Sequence, residues 1–180
     1  MPELSHVSPQ SQASAATAWL VAAKKPVYPL YVGWYAGSGA LAAGATALSL
    51  PFFLALASMK RSNPRTLRLG LPLLGPADTI FAAKLFGPAS GAELFLVPRL
   101  TLALPPPEAG EILAAHVLGG AVLGVGLLLH SHYGAPPHVG PDEQLARLRE
   151  LNLVEVASLS FFLAWVFAAR LTPAADPKMV

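Results

Sequence analysis

The sequence predicts an all-α integral membrane protein, a helical bundle of about four transmembrane helices with an interfacial or re-entrant segment after the first. Hydrophobic residues make up 54% of its 180 residues and charged residues only 12%, about half of what a soluble domain carries. Residues 26–59 contain no charged side chain, and a helix needs only about 20 apolar residues to cross the hydrocarbon of a bilayer. Because lipid offers the backbone no hydrogen-bond partner, such a stretch favours a helix.

The sequence divides into three regions: a polar N-terminal arm over residues 1–27, a transmembrane helical domain over 28–170 and a short C-terminal tail over 171–180. The arm is rich in Ser and Ala but has neither arginine nor the apolar core of a targeting segment. We therefore expect it to be retained and to dock on a partner.

Four apolar stretches have the composition of membrane spans, and one stretch between them does not. The expected spans are 28–59, 92–107, 112–130 and 151–169. Residues 69–84 are interrupted by Pro72, Pro76 and Asp78, and a charge is costly at mid-membrane. This stretch is therefore expected to be interfacial or re-entrant.

Basic residues between the spans predict an orientation. With four crossings, the cluster from Lys60 to Arg68 and the pair Arg147 and Arg149 would lie on the same side. Loops rich in Lys and Arg face the cytoplasm or the matrix. The termini would then lie on the opposite side.

Composition excludes several classes of function. Without cysteine the chain has no disulfide and no Cys-ligated zinc or iron–sulfur cluster, so a redox centre would have to use histidine. The net charge of +2 is too small, and its lysines and arginines too scattered, to indicate nucleic-acid binding. The sequence also lacks a nucleophile elbow, a phosphate-binding loop and a His-Glu-x-x-His helix, which argues against an independent enzyme.

Histidines supply the candidate chemistry. His116 and His130 share a helix face at a separation of 14 residues, the spacing of ligands to two stacked haems, but a bis-histidine pair of haems needs two further histidines. His130, His132 and His138 form a tighter group whose spacing suits a metal site poorly. The alternative is that polar side chains bond the last carbonyl groups of a membrane helix near lipid headgroups.

The stretch Leu-Leu-Leu-His-Ser-His-Tyr-Gly, residues 127–134, resembles the end of the second transmembrane helix in the small membrane-anchor subunit of succinate dehydrogenase, respiratory complex II. The resemblance extends over about residues 92–170. It implies that His130 is an axial ligand of the iron of a b haem, and that His132 lies near a haem propionate or the membrane surface. A partner anchor subunit would supply the second axial ligand.

The same resemblance implies a ubiquinone site near the matrix face. Tyr133 and Asp142 are candidates for it by position, because Asp142 and Glu143 stand where the family usually has Asp-Tyr. The expected partners are a second anchor subunit, iron–sulfur and flavoprotein subunits and the lipid bilayer, with a bound phospholipid, in a hetero-oligomer. The expected location is the mitochondrial or bacterial inner membrane.

Two other functions fit the composition. The first is a supernumerary or scaffold subunit of a respiratory or photosynthetic complex, which binds no cofactor and contributes helix-packing surface. The second is a small transporter or channel, whose buried polar path would contain Asp78, Lys84, Arg99 and Glu155.

Overall fold

The computed structural model describes residues 8–101, 112–130, 132, 134–138 and 140–171. Every regular element among them is a helix, which confirms the all-α class. The α-helices, in chain order, are α1 (Pro9–Lys24), α2 (Tyr28–Tyr31), α3 (Ala40–Ala45), α4 (Leu50–Ser58), α5 (Pro64–Phe86), α6 (Leu96–Thr101), α7 (Ile112–His130) and α8 (Asp142–Leu171). A π-helical turn covers Val32–Ala36, and 3-10 turns cover Thr46–Ser49, Pro88–Ser90 and Ala92–Phe95.

Two helical segments of the described residues are long and apolar enough to cross a membrane. They are Ala40–Ser58, in which 22% of the most apolar window is buried, and Pro64–Phe86, in which 44% is buried. A core helix of a soluble protein would be mostly buried, whereas less than half of the apolar window of each segment is buried. Trp34, 82% exposed, and Leu41, 94% exposed, add to this outer apolar surface. The surface is consistent with membrane association, and the expected number of four spans rests on the sequence alone.

The expected first span, 28–59, is divided by a tight turn. Gly37 and Gly39 have φ values of +80° and +86°, a left-handed conformation that glycine adopts readily. The chain doubles back there, so that a Cβ placed on Gly33 would lie 3.2 Å from Ala40 Cβ. The prediction of one continuous span was therefore wrong, because it gave apolar composition more weight than the two closely spaced glycines.

The structure places a packed helix where we expect a polar arm. The Ser8 hydroxyl accepts a hydrogen bond from the Ser11 amide and caps α1, and Pro9 starts the helix. Its alanine face lies in a core cluster with α4 and α5. The small side chains let the helices approach closely, so this stretch belongs to the bundle.

The segment 9–36 contacts α5 near both ends of that helix. Near its start, Arg68 donates a hydrogen bond to the Ser11 hydroxyl over 2.9 Å. Near its end, Val32 and Ala36 pack in one cluster with Phe86. We call the two ends of the bundle the Lys60 end, where α5 begins, and the Gly37 end, where α5 finishes.

A short interruption divides this segment between Lys24 and Tyr28. Pro26 and Pro29 lack the N–H groups that would otherwise bond the carbonyl groups of Ala22 and Lys25. The Val27 amide instead donates to the Lys24 carbonyl over 3.1 Å. Regular α-helix thus stops at Lys24 and resumes at Tyr28.

Helix α5 is continuous through residues 69–84, where the sequence analysis expects a broken segment, and the interfacial or re-entrant position of that segment stays a prediction. The Asn63 side chain caps the start of α5, and Gly87, with φ of +78°, ends it. Pro72 and Pro76 lie buried within the helix, where neighbouring helices can compensate the lost backbone bonds. Packing against the neighbouring helices therefore outweighs the tendency of proline to break a helix.

The bounds of the remaining helices agree only in part with those predicted from the sequence. Helix α7 has the predicted bounds, Ile112–His130. Helix α8 extends from Asp142 to Leu171, so it contains the charged stretch before the fourth expected span. In the second expected span the structure describes the 3-10 turn Ala92–Phe95 and α6, and residues 102–107 lie outside the described residues.

The basic clusters lie at opposite ends of the bundle, contrary to the predicted orientation. Leu148 packs in the cluster of Phe86, and Arg149 Cγ lies 3.0 Å from a Cβ placed on Gly91. Both contacts belong to the Gly37 end, about 33 Å along α5 from the Lys60 end at 1.5 Å per residue. The turn at Gly37 adds a reversal that the sequence analysis lacked, and basic residues at both ends give no orientation signal.

Candidate functional site

His130 ends α7 with its side chain 61% exposed. Its Nδ1 lies 2.7 Å from Glu93 Oε2, while Glu93 Oε1 is buried and has no hydrogen-bond partner among the described residues. A histidine that binds iron commonly uses one ring nitrogen for the metal and donates the other N–H to a carboxylate. Nε2 of His130 is thus left for a ligand, and this one imidazole fits one axial position of a haem.

The other two histidines of the group have partners of their own. His132 Nδ1 lies 2.8 Å from the Leu128 carbonyl oxygen, at the end of α7. His138 packs edge-on against Phe86, with ring centroids 5.9 Å apart, and its Nε2 lies 3.4 Å from the Ser38 hydroxyl. No group of three His, Asp or Glu able to hold a metal ion occurs among the described residues.

The quinone candidates remain predictions. Tyr133 lies outside the described residues. Asp142 is exposed as the first residue of α8, and its neighbour Glu143 pairs with Arg147 over 2.6 Å. The side chain of His116, the other histidine of α7, also lies outside the described part.

An outward apolar stripe runs along α7. A Cβ placed on Gly120 or Gly124 would meet no atom of the described residues within 4 Å, and Val117 and Leu128 are exposed beside them. At about 100° per residue, Leu128 lies on nearly the opposite side of the helix from His130. A partner helix on this stripe would therefore not be the one that reaches His130.

A second group of polar side chains lies inside the bundle, and we call it the polar centre. Lys25 Nζ lies 2.5 Å from Asp78 Oδ1, and the two side chains are only 9% and 3% exposed. Ser49 donates to the same carboxylate oxygen over 2.6 Å. Lys24 Nζ lies 3.1 Å from Glu155 Oε2, with exposures of 39% and 16%. Two ammonium groups thus face two carboxylates.

Three features of the fold assemble the polar centre. The prolines after α1 end the helix at the lysines, α5 presents Asp78, and α8 presents Glu155. Ser49 is the tenth of the 19 residues of Ala40–Ser58, so its bond to Asp78 places the buried pair at the middle of that segment. A buried charge is costly unless it is paired and hydrogen-bonded, and both conditions are met here.

A cavity of about 70 Å³ connects the two pairs. Its walls are formed by Val21, Lys24, Lys25, Tyr28, Thr46, Asp78, Thr79, Ala82, Ala92, Phe95, Glu155 and Leu159. Tyr28 donates a hydrogen bond to Asn152 Oδ1 over 3.0 Å, and Asn152 donates to the Ser90 carbonyl over 2.9 Å.

The polar centre contains two of the four residues expected in a transport path. Asp78 and Glu155 line one cavity, whereas Lys84 is exposed elsewhere on α5 and the side chain of Arg99 lies outside the described residues. Sequence reasoning missed Lys24 and Lys25 because it assigned them to an arm. The signal was present, since two lysines followed by proline border the long uncharged stretch.

No protein-family model, curated protein or solved structure matches this chain.

Proposed function

We propose that this chain is a membrane-anchor subunit of a succinate dehydrogenase, respiratory complex II, in a mitochondrial or bacterial inner membrane. In this proposal His130 supplies one axial ligand to a b haem, and a neighbouring anchor subunit supplies the other. Soluble flavoprotein and iron–sulfur subunits would oxidise succinate and pass electrons towards quinone, near Tyr133 and Asp142. The chain would bind and position the haem and the quinone, and it would not itself catalyse a reaction step.

The environment of His130 carries the proposal. A ligand shared between two chains must reach beyond its own bundle, and the His130 ring is exposed at the end of α7. Glu93 bonds one ring nitrogen, an arrangement that fixes the orientation of a haem ligand. The haem, when bound, would supply one-electron transfer. The resemblance over residues 127–134 supports the same assignment.

The test is a reduced-minus-oxidised spectrum of the assembly purified from its native membrane. We expect a b-type haem band in the wild type and its loss in His130→Ala, since iron would lose an axial ligand. His138→Ala is the matched control, because that ring packs on Phe86, and the band should persist there. A wild-type assembly without the band, or a His130→Ala assembly that retains it, contradicts the proposal.

The outward stripe of α7 favours a second candidate, a scaffold subunit without cofactor. No described residue lies within 4 Å of a Cβ placed on Gly120 or Gly124, and small residues at such positions let a neighbouring helix approach closely in membrane bundles. The same purification separates the candidates. A chain that co-purifies with redox subunits but shows no haem that depends on His130 is a scaffold.

A further inference from the structure

Buried hydroxyl groups also lie between the polar centre and the Lys60 end. Ser11, Ser14 and Thr17 of α1 are all buried, although a helix that only filled space could carry alanine there. Arg68, on the neighbouring α5, donates to the Ser11 hydroxyl over 2.9 Å. These three residues occupy successive turns of α1 beside Arg68, and residues 18–23, which carry no hydroxyl group and no charge, separate them from the two lysines of the polar centre.

Polar groups also extend from the polar centre towards the Gly37 end. Asn152 is fully buried one turn before Glu155 on α8. It accepts from Tyr28 and donates to the carbonyl of Ser90, which lies in the turn after α5. Polar groups therefore lie on both sides of the cavity, interrupted by the apolar residues 18–23 on the side of the Lys60 end, and we call them together with the polar centre the polar row.

We propose that this row is a path for protons, in which water in the cavity passes protons between the Glu155–Lys24 pair and the Asp78–Lys25 pair. Hydroxyl groups both donate and accept hydrogen bonds, so they can continue the path beyond the cavity. The inference concerns a different part of the molecule from His130 and does not depend on a haem.

The size and charge of the cavity favour protons over a larger solute. A volume of about 70 Å³ has room for a few water molecules, whereas pockets for small organic ligands measure roughly 300–1,000 Å³. Two lysines and two carboxylates balance one another, so no net charge remains to hold an ion. Water needs two to four polar partners, and the walls supply carboxylate, ammonium and hydroxyl groups.

The two pairs differ in a way that suits stepwise transfer. Glu155 and Lys24 are partly exposed and 3.1 Å apart, whereas Asp78 and Lys25 are nearly fully buried and 2.5 Å apart. The first pair therefore lies open to solvent, and the second pair is shielded from it and lines the cavity. Packing alone does not require either pair, since apolar side chains of similar volume often stabilise a protein as well as a buried ion pair.

The full chain, purified in detergent and reconstituted into phosphatidylcholine vesicles that enclose a pH-sensitive dye, tests the proposal. A potassium diffusion potential drives protons inwards, and we expect the wild type to acidify the vesicles at least ten times faster than protein-free vesicles. Asp78→Asn and Glu155→Gln should each lower the protein-dependent rate at least tenfold. Glu143→Gln, an exposed carboxylate outside the row, should leave it unchanged.

Circular dichroism and the elution volume identify variants that fold. Since Asp78→Asn leaves Lys25 without its carboxylate, the double variant Lys25→Met/Asp78→Leu removes both buried charges and should fold, yet still lose flux. The more exposed Glu155 provides a second variant if either fails to fold. Wild-type flux equal to that of empty vesicles, or wild-type flux in a folded Glu155→Gln or double variant, overturns the proposal.

Discussion

Lys25 and Asp78 form a deeply buried ion pair, in which each charge is costly unless the other is present. Their contact of 2.5 Å is almost completely shielded from solvent, and Lys25 Nζ lies 5.9 Å from the centre of the Phe53 ring. Such a pair contributes little net stability compared with apolar side chains, but loss of one partner leaves the other charge buried.

Substitution of one partner, and then of both, measures the free-energy cost of leaving the Asp78 charge unpaired. Lys25→Met should lower the free energy of unfolding by about 3–5 kcal/mol, because Asp78 loses its counter-charge. Lys25→Met/Asp78→Leu should recover most of that loss. The measurement is the unfolding midpoint of each variant in detergent micelles, converted to free energy.

The exposed pair Arg147 and Glu143 on α8 provides the control. Its side chains are 52% and 76% exposed, and such i,i+4 pairs contribute only about 0.3–0.5 kcal/mol. Arg147→Gln should therefore change stability by no more than that amount. Equal effects of Lys25→Met and Arg147→Gln would contradict the buried character of the first pair.

Sequence analysis identified some residues of the polar centre and missed others. Asp78 and Glu155 were identified because a carboxylate within an apolar stretch is unusual. Lys24, Lys25 and Asn152 were not, because their meeting depends on where α1 ends beside α5 and α8. Contacts between residues more than a hundred positions apart, such as Lys24 with Glu155, cannot be predicted from local pattern.

At the level of elements, the turn between the π-helical segment and α3 determines how the chain reverses. Gly39 has φ of +86°, and a Cβ there would lie 3.0 Å from His138 Nε2 and 3.3 Å from Phe86 Cε1. At Gly44, within α3, a Cβ would meet no atom of the described part of the chain within 4 Å. The two glycines therefore provide a matched pair.

We expect Gly39→Ala to destabilise the protein by at least about 1–2 kcal/mol, the cost of a left-handed conformation for an L-residue, with crowding against His138 in addition. Gly44→Ala should cause no loss, since alanine is the better helix former by about 0.8–1.0 kcal/mol. Thermal unfolding in micelles, followed by circular dichroism, gives both values. A Gly39→Ala variant as stable as Gly44→Ala would rule out the turn described above.

The bounds of a helix were predictable where its apolar composition and the residues at its start and end indicated the same limits. Helix α7 is uniformly aliphatic between a polar start and a histidine end, and its bounds were correct. In α5 the prolines indicated a break, whereas the structure keeps the helix continuous, because packing compensates for lost backbone bonds. Between Tyr28 and Met59 composition indicated continuity, whereas the glycine turn divides the segment.

For the whole molecule, the described helices form a bundle with two distinct ends. The turn after α4 lies at the Lys60 end, and the stretch before α8 lies at the Gly37 end, where His138 packs on Phe86. Both the haem and the proton proposals require that a membrane separates these ends. The outer apolar surface of Ala40–Ser58 and Pro64–Phe86 is the physical basis for that requirement.

Single-cysteine labelling tests this requirement most directly, because the chain has no cysteine of its own. Ser62→Cys and Ala135→Cys place one thiol at each end, both at exposed positions, and denatured samples of each should label fully. With a membrane-impermeant maleimide, we expect one variant to label only in intact spheroplasts and the other only in inside-out vesicles. Labelling of both variants from the same side would contradict the account.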